Sequence, residues 1–423
     1  MRLRILSSLA ALLALMFAAM FASSATSAAT ADGVYVIVDA SQPDQFPAVT
    51  AALQVPGVDG LLIHLRWGQI SDGFMHYNWT SLDNAIALAT AANKRYELGI
   101  VTGSAMPQWV TAPAPKGLGA AHATFNVDAT VGGGCTTFVM APPYDPGYQA
   151  AFRDLLIKLA AHLRGMKTYA SLAMLKLDGI TTTTDELRLP ALNIPASECA
   201  NANSIKTWLS LGYTPGKVRS AWDSMLHTFL VQFPNKSFNI GFIGVNAFPG
   251  IMNNGTVAPT DAARAALSAQ FAANLIGDAG RLMPGRVALG FDSLTLTVPQ
   301  DDASYPSSLT EYFTDASNAG ARLGWQTNEL CGQYSTTGTG GCSGANCTIN
   351  TCSGVACSGS SKANAVPCTN SAQFQALLLA GLLPNNPAAP LPESQGVYLE
   401  IFPQNANAWP AAVRKAHQNL APW

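Results

Sequence analysis

Ala321-Arg-Leu-Gly-Trp-Gln-Thr-Asn-Glu-Leu330 opens as an apolar strand with Gly-Trp at its centre and ends abruptly polar at Glu329. Apolar residues on consecutive strand positions imply burial on both faces, as in a parallel sheet covered by helices. The polar end marks where such a strand leaves the sheet and meets solvent. Parallel α/β folds carry their chemistry at those ends. Glutamate is scarce in this chain, with only Glu97, Glu186, Glu198, Glu311, Glu329, Glu393 and Glu400 present. Three of them, Glu186, Glu329 and Glu400, fall near the C-terminal ends of predicted strands.

Outward from that stretch, the same pattern repeats along the chain. Strands are predicted at 33–39, 58–67, 96–102, from about 169 through Asp178 toward Glu186, and at 238–245, 286–291, 321–330 and 396–402. Helical spacing follows each in turn, at 43–53, 79–94, 148–163, 218–233, 261–279, 309–319, 371–383 and 409–420. The Pro- and Gly-rich segment 111–147 reads as a long loop. Eight strands, each followed by a helix, imply a parallel sheet closed into a (β/α)8 TIM barrel, an α/β fold. A doubly wound open sheet would need a Gly-rich phosphate turn after the first strand, and Asp39-Ala-Ser-Gln-Pro43 offers none.

The chain has 423 residues. Arg2 and Arg4, an apolar run to Phe21 and a Ser/Ala/Thr-rich stretch ending near Ala31 follow the plan of a secretory signal peptide. The expectation is a signal peptide over 1–31, one catalytic barrel over 32–423, and a secreted or periplasmic location. No later stretch is apolar and long enough to span a bilayer, so no membrane association is expected once the signal is removed. Formal net charge is −2 and charged residues make up 11%. That balance lacks the basic stripe of a nucleic-acid-binding protein. A weakly charged surface rich in Ser, Thr, Asn and Gln suits a neutral, hydroxyl-rich ligand, and a monomer is expected.

All eight cysteines lie after the signal region, an even number in an oxidising compartment. Cys331, Cys342, Cys347, Cys352, Cys357 and Cys368 cluster in one insertion after the seventh strand (331–368), while Cys135 and Cys199 lie in two other loops. Disulfide-bearing loops on the C-terminal face are therefore expected, with a pairing that spacing does not decide. Zinc sites favour close cysteine pairs with histidines nearby, and this insertion holds no histidine. The chain also lacks His-x-x-x-His, an esterase Gly-x-Ser-x-Gly and a phosphate loop, so neither metal nor cofactor is expected.

Two glutamates at the ends of the fourth and seventh strands face each other across a barrel mouth in this reading. Retaining hydrolysis of a glycosidic bond needs two carboxyls about 5–5.5 Å apart, one a nucleophile and one an acid/base. An inverting enzyme needs them about 6.5–9.5 Å apart. Arg66-Trp67 closing the second strand, the segment Met75-His-Tyr-Asn-Trp79 with Leu82-Asp83, and Met106-Pro-Gln-Trp109 after the third together resemble clan A of the glycoside hydrolases. That clan holds cellulase-, mannanase-, xylanase- and β-galactosidase-type families on this barrel. The resemblance implies Glu186 as acid/base, Glu329 as nucleophile and Arg66 as a hydrogen-bond partner of the nucleophile. It also implies a carbohydrate substrate.

The sequence departs from the clan in three places. Asp185 stands where the clan usually has Asn before the acid/base, Phe291-Asp292 where it often has Tyr, and Phe402 nearest to a Trp beneath the sugar. Asp178 rivals Glu186 if the fourth strand stops there, and Glu400 fits a mid-strand position. Asp39 and Asp292 fit capping or mouth roles. Trp67, Trp109, Trp325, Phe402 and Trp409 are candidate sugar-stacking rings, Trp67 and Trp109 foremost because they end strands. The expected activity is secreted, retaining, endo-acting glycoside hydrolysis. The alternative is a non-catalytic barrel that binds carbohydrate or a surface partner.

Overall fold

The computed structural model describes residues 31–128, 135–191, 203–242, 247–294, 322–327, 347–348, 351–352, 368, 370–382 and 396–420. Its centre is a closed barrel of eight parallel strands: Gly33–Asp39, Gly60–Arg66, Arg95–Val101, Leu172–Lys176, Ser237–Phe242, Val287–Leu294, Arg322–Thr327 and Tyr398–Ile401. The strands pair in chain order, and the first pairs with the eighth through Gly33–Tyr398 to Val36–Ile401. Each predicted strand is therefore present. The fourth is much shorter than expected, because the chain leaves the sheet at Lys176 and continues as a loop between the third and fifth strands.

Helices cover the outside, and their starts are written in the sequence. Asp145 caps Pro146–Gly165 by accepting from the Gly147 and Tyr148 amides, with Pro146 in the first turn. Thr214 and Thr260 cap Pro215–Gln232 and Asp261–Leu282 in the same way. Leu155, Leu156, Leu159 and Leu163 form the buried stripe of the first of these, at helical spacing. The helix expected at 309–319 lies outside the described residues. In the segment read as one long loop, 111–147, an antiparallel ladder joins Ala123–Asp128 to Cys135–Met140.

Inside the barrel the lower layers are apolar. Tyr35, Ile37, Leu62, Met174, Ala288 and Tyr398 pack together there. The Tyr398 ring fills the space beside the sixth and seventh strands, where a Cβ on Gly290 or Gly324 would collide with it. Glycine is required at both positions by that close approach. Above this plug the inward positions turn polar. Glu97, Lys176, Asn239 and Glu400 project from four different strands, each fully or almost fully buried.

Cys347–Thr348 and Thr351–Cys352 pair as a short antiparallel ladder in the cysteine-rich insertion. Cys368 is buried and disulfide-bonded. Cys199, Cys331, Cys342 and Cys357 lie outside the described residues, as does the whole 1–30 segment.

Candidate active site

The loop that follows the fourth strand is tied down on both sides. Toward the third strand, Asp178 Oδ2 accepts the Ile100 amide at 2.5 Å, and Thr181 Oγ1 accepts the Thr102 amide at 2.9 Å. The Ser104 amide donates to the Thr182 carbonyl at 2.7 Å. Toward the fifth strand, the Leu187 amide donates to Gly241 O at 2.8 Å and the Leu189 amide to Ala247 O at 2.7 Å. The Arg188 amide closes the loop on Ile180 O at 3.0 Å. Gly179 begins it at φ +110°, with its backbone against Met225 and Phe152 and its carbonyl accepting from Tyr148 Oη at 2.8 Å. Side-chain and backbone bonds thus continue the ladders that the short fourth strand leaves open.

This loop delivers two adjacent carboxylates in different directions. Asp185 turns into the barrel, where its Oδ2 lies 3.0 Å from His64 Nε2 and 3.2 Å from Lys176 Nζ. Glu186 accepts a hydrogen bond from Thr184 Oγ1, and its Oε2 lies 3.8 Å from Arg188 Nη2. Arg188 in turn donates to Thr184 Oγ1 at 2.6 Å and Thr183 Oγ1 at 3.1 Å. The Glu186 side chain is 5% exposed. Asp178, the rival acid, has no exposure at all and spends its carboxyl on the Ile100 amide. Its role is to close the sheet.

Lys176 is the hub of the interior charges. It reaches Glu400 Oε2 at 3.0 Å as well as Asp185, with neither Lys176 nor Glu400 exposed. Asn239 Nδ2 bridges Glu97 Oε1 at 3.2 Å and Glu400 Oε1 at 3.0 Å. Burial, and then repulsion from Glu400, push the Glu97 carboxyl well above the usual range, so it holds its proton. Burial and the Asp185 charge do the same to Asp178. Burial also raises Glu400, although Lys176 opposes it. Desolvation would raise Asp185 too, but the His64 and Lys176 charges outweigh it and hold that carboxylate ionised. The reciprocal effect on His64 overcomes its own desolvation and favours the imidazolium.

At the ends of the first and second strands, Arg66 Nε donates to Asp39 Oδ2 at 2.8 Å. The other Asp39 oxygen accepts from the Ser41 amide and hydroxyl. Burial opposes ionisation of Asp39, but these hydrogen bonds and the guanidinium hold its carboxyl below the usual range. Arg66, expected beside the nucleophile, thus commits its Nε to Asp39. Glu329 stands two residues past Thr327, the last residue of the seventh strand, and lies outside the described residues. Asp292 is within the sixth strand, its side chain likewise outside the description.

The stacking rings divide. Trp67 has no exposure; Trp109, Tyr148 and Phe152 pack edge-on around it with centroids 5.7–6.3 Å away. Trp325 is 2% exposed, against Phe291 and the backbone of Gly381 and Gly396. Neither offers a face to a sugar, which corrects the expectation: both rings turn outward from their strands into the helix layer, where burying a large apolar area is worth more. Trp109 is 8% exposed, its Nε1 donating to Ser71 Oγ at 2.7 Å, and Phe402 is half-buried at the end of the eighth strand.

Sequence reading passed over His64, Lys176 and Glu97 as site residues. The available signal was a charge set in an otherwise apolar strand, such as Lys176 in Leu172–Lys176 or Glu97 in Arg95–Val101. Opposite charges so placed in different strands of one barrel have to meet inside it.

No protein-family model matches the sequence, and no curated protein does. Among solved structures, the chain is similar to the catalytic domain of beta-amylase from Paenibacillus polymyxa, at 12% identity and a TM-score of 0.53, over 92% of this chain and 98% of that one. It is also similar to the intracellular xylanase TsXylA from Thermoanaerobacterium saccharolyticum in complex with xylotriose (10% identity, TM-score 0.40, 71% and 73% of the two chains). A GH10 endoxylanase from a sugarcane soil metagenome follows (10% identity, TM-score 0.39, 69% and 65%). At these identities the beta-amylase likeness is one of fold: this chain shares the architecture of that catalytic domain over nearly its full length.

Proposed function

We propose that the protein is a secreted glycoside hydrolase of the clan A type, acting without a cofactor on a poly- or oligosaccharide. One observation carries the reading. Glu186 sits on a loop pinned to both neighbouring strands at the C-terminal end of the barrel, the end where a second glutamate, Glu329, follows the seventh strand. The catalytic domain of a beta-amylase has the same fold. In this reading Glu186 protonates the leaving oxygen while Glu329 attacks the anomeric carbon, forming a glycosyl-enzyme ester. Glu186 then takes a proton from the water that releases the sugar, and the anomeric configuration is retained. Trp109, Phe402 and Asp292 are the substrate-contacting candidates, and the loops after the third, fourth and seventh strands wall an endo-acting cleft. Residues 1–31 direct export of a monomer, and the cysteine-rich insertion is held by disulfides.

The test is a panel of plant, fungal and bacterial polysaccharides assayed for reducing-end release, with Glu186→Gln and Glu329→Gln beside the native enzyme. Turnover by the native protein alone supports the reading. Binding without turnover by all three establishes a carbohydrate-binding barrel instead, an alternative favoured by the near-complete burial of Glu186. Proton NMR of the first product separates retention from inversion.

A further inference from the structure

The Asp185 carboxylate does not point toward the mouth, where a substrate-contacting residue before the acid would point. It lies against the inner face of the third strand, over Gly99. Gly99 is the register partner of His64 on the second strand, so the two share the inward face. A Cβ on Gly99 would collide with Asp185 Oδ2 and would stand 3.2 Å from Lys176 Cδ. The missing side chain thus leaves room for the carboxylate, which His64 and Lys176 contact at 3.0 and 3.2 Å. Asp185 is 1% exposed, whereas the His64 side chain is 20% exposed and borders the mouth.

We propose that Asp185, seated over Gly99 and held by His64 and Lys176, is the positioning residue that fixes the neighbouring Glu186 at the barrel mouth, with His64 as the mouth-side member of the clamp. Its positioning role rests on the catalytic role proposed for Glu186; the clamp itself does not. Among the described residues, the polar partners of Glu186 are Thr184 and Arg188, both on its own loop. A fixed reference to the barrel therefore comes from the backbone on either side and from Asp185, the adjoining residue. Two charges grip it from two strands, one on each side of Gly99. Positional tolerance at a reacting carboxyl is small, and a misplacement of about 1 Å costs on the order of a hundredfold in rate. The titratable groups facing the clamp are Glu97 from the third strand, Glu400 from the eighth, and Asp178 and Glu186 from the loop itself.

Three variants test this: Asp185→Asn, His64→Gln and Gly99→Ala, the last filling the space over Gly99 without altering any titratable group. Two readouts need no substrate. Deuterium exchange at the amides of 181–189 should rise at least tenfold in Asp185→Asn and Gly99→Ala. The His64 imidazole, followed by NMR against pH, should titrate at a lower pH once Asp185 is neutral or displaced. The third readout uses aryl glycosides of the sugar that the polysaccharide panel identifies. Asp185→Asn should lose on the order of a hundredfold in kcat/KM on a poor leaving group and much less on dinitrophenolate, whose departure needs no acid. Unchanged exchange and an unchanged His64 titration in folded Asp185→Asn or Gly99→Ala would overturn the clamp. Equal loss on both leaving groups would overturn positioning of Glu186. If no polysaccharide is cleaved by the native protein while exchange and titration shift as expected, the clamp stands and the hydrolase reading falls. Should one variant fail to fold, the other still reports both signals, and His64→Gln reads the amide exchange from the other side of the clamp.

Discussion

Replacing Lys176 by Met is the sharpest probe of how this barrel tolerates its interior. The ammonium lies 3.0 Å from Glu400 and 3.2 Å from Asp185, and all three side chains are at most 1% exposed. With an effective dielectric near 20, each contact is worth about 5 kcal/mol of gross attraction, from Coulomb's law at those separations. Desolvation of the three groups offsets much of that, so the gross figure is not the cost of the substitution. What the methionine leaves behind decides the cost. Glu400, already raised by burial, takes up a proton, and Asp185 keeps His64. Breaking a buried pair by removing one partner costs about 3–5 kcal/mol, and the lower half of that range applies at pH 7 because of these two escapes. Equilibrium unfolding in urea, by far-UV dichroism at pH 7 and pH 5, measures it. The deficit should shrink at pH 5, where Glu400 protonates more readily, and the double variant Lys176→Met/Glu400→Leu should recover a large part of it, since an apolar pair can replace a buried ion pair. A deficit below about 1 kcal/mol at both pH values, inside the range of an exposed ion pair, would refute the reasoning.

Glu186→Gln and Glu329→Gln should each lower turnover by at least about a hundredfold while affinity for an oligosaccharide, measured calorimetrically, is retained. Trp67→Ala should cost about 3–5 kcal/mol of stability, read from the urea midpoint, and leave glycan affinity unchanged in whatever fraction folds; a selective loss of affinity would restore Trp67 as a stacking platform. Gly324→Ala drives a methyl into the Tyr398 ring and should cost about 1–3 kcal/mol, with partial recovery in Gly324→Ala/Tyr398→Leu. For the His64–Asp185 pair, the raised imidazolium contributes stability that is complete below the ordinary histidine pKa of about 6.5 and is lost as pH rises through the higher folded value. The depressed Asp185 contributes above about pH 4 and loses its share as pH falls below that. Thermal midpoints between pH 6 and 9 should therefore fall more steeply for the native protein than for His64→Gln; parallel curves would contradict the sign.

The barrel was legible because burial on both faces writes itself as uninterrupted apolar runs, such as Gly33–Asp39 and Gly60–Arg66, and because Asp145, Thr214 and Thr260 announce helix starts locally. Glu186 could be singled out on rarity and order along the chain. The length of the fourth strand could not, because Leu-Lys-Leu-Asp-Gly-Ile continues an apolar alternation that only the switch of Ile100 from a strand partner to the Asp178 carboxylate brings to an end. The direction of each Trp was likewise hidden. A ring in or beside a strand reads the same whether it faces the mouth, as a sugar platform would, or the helix layer, where Trp67 and Trp325 are packed. Most of all, no local pattern joins Asp185 to His64 and Lys176 or Lys176 to Glu400, which lie up to 224 positions apart. Period and capping are properties of neighbours in the chain, so the sequence alone determined an alternating α/β barrel and its scarce carboxylates. Which charges meet depends on closure, which alone brings the inward faces of eight strands together, and so only the tertiary structure decided that Asp185 turns inward to His64 and Lys176.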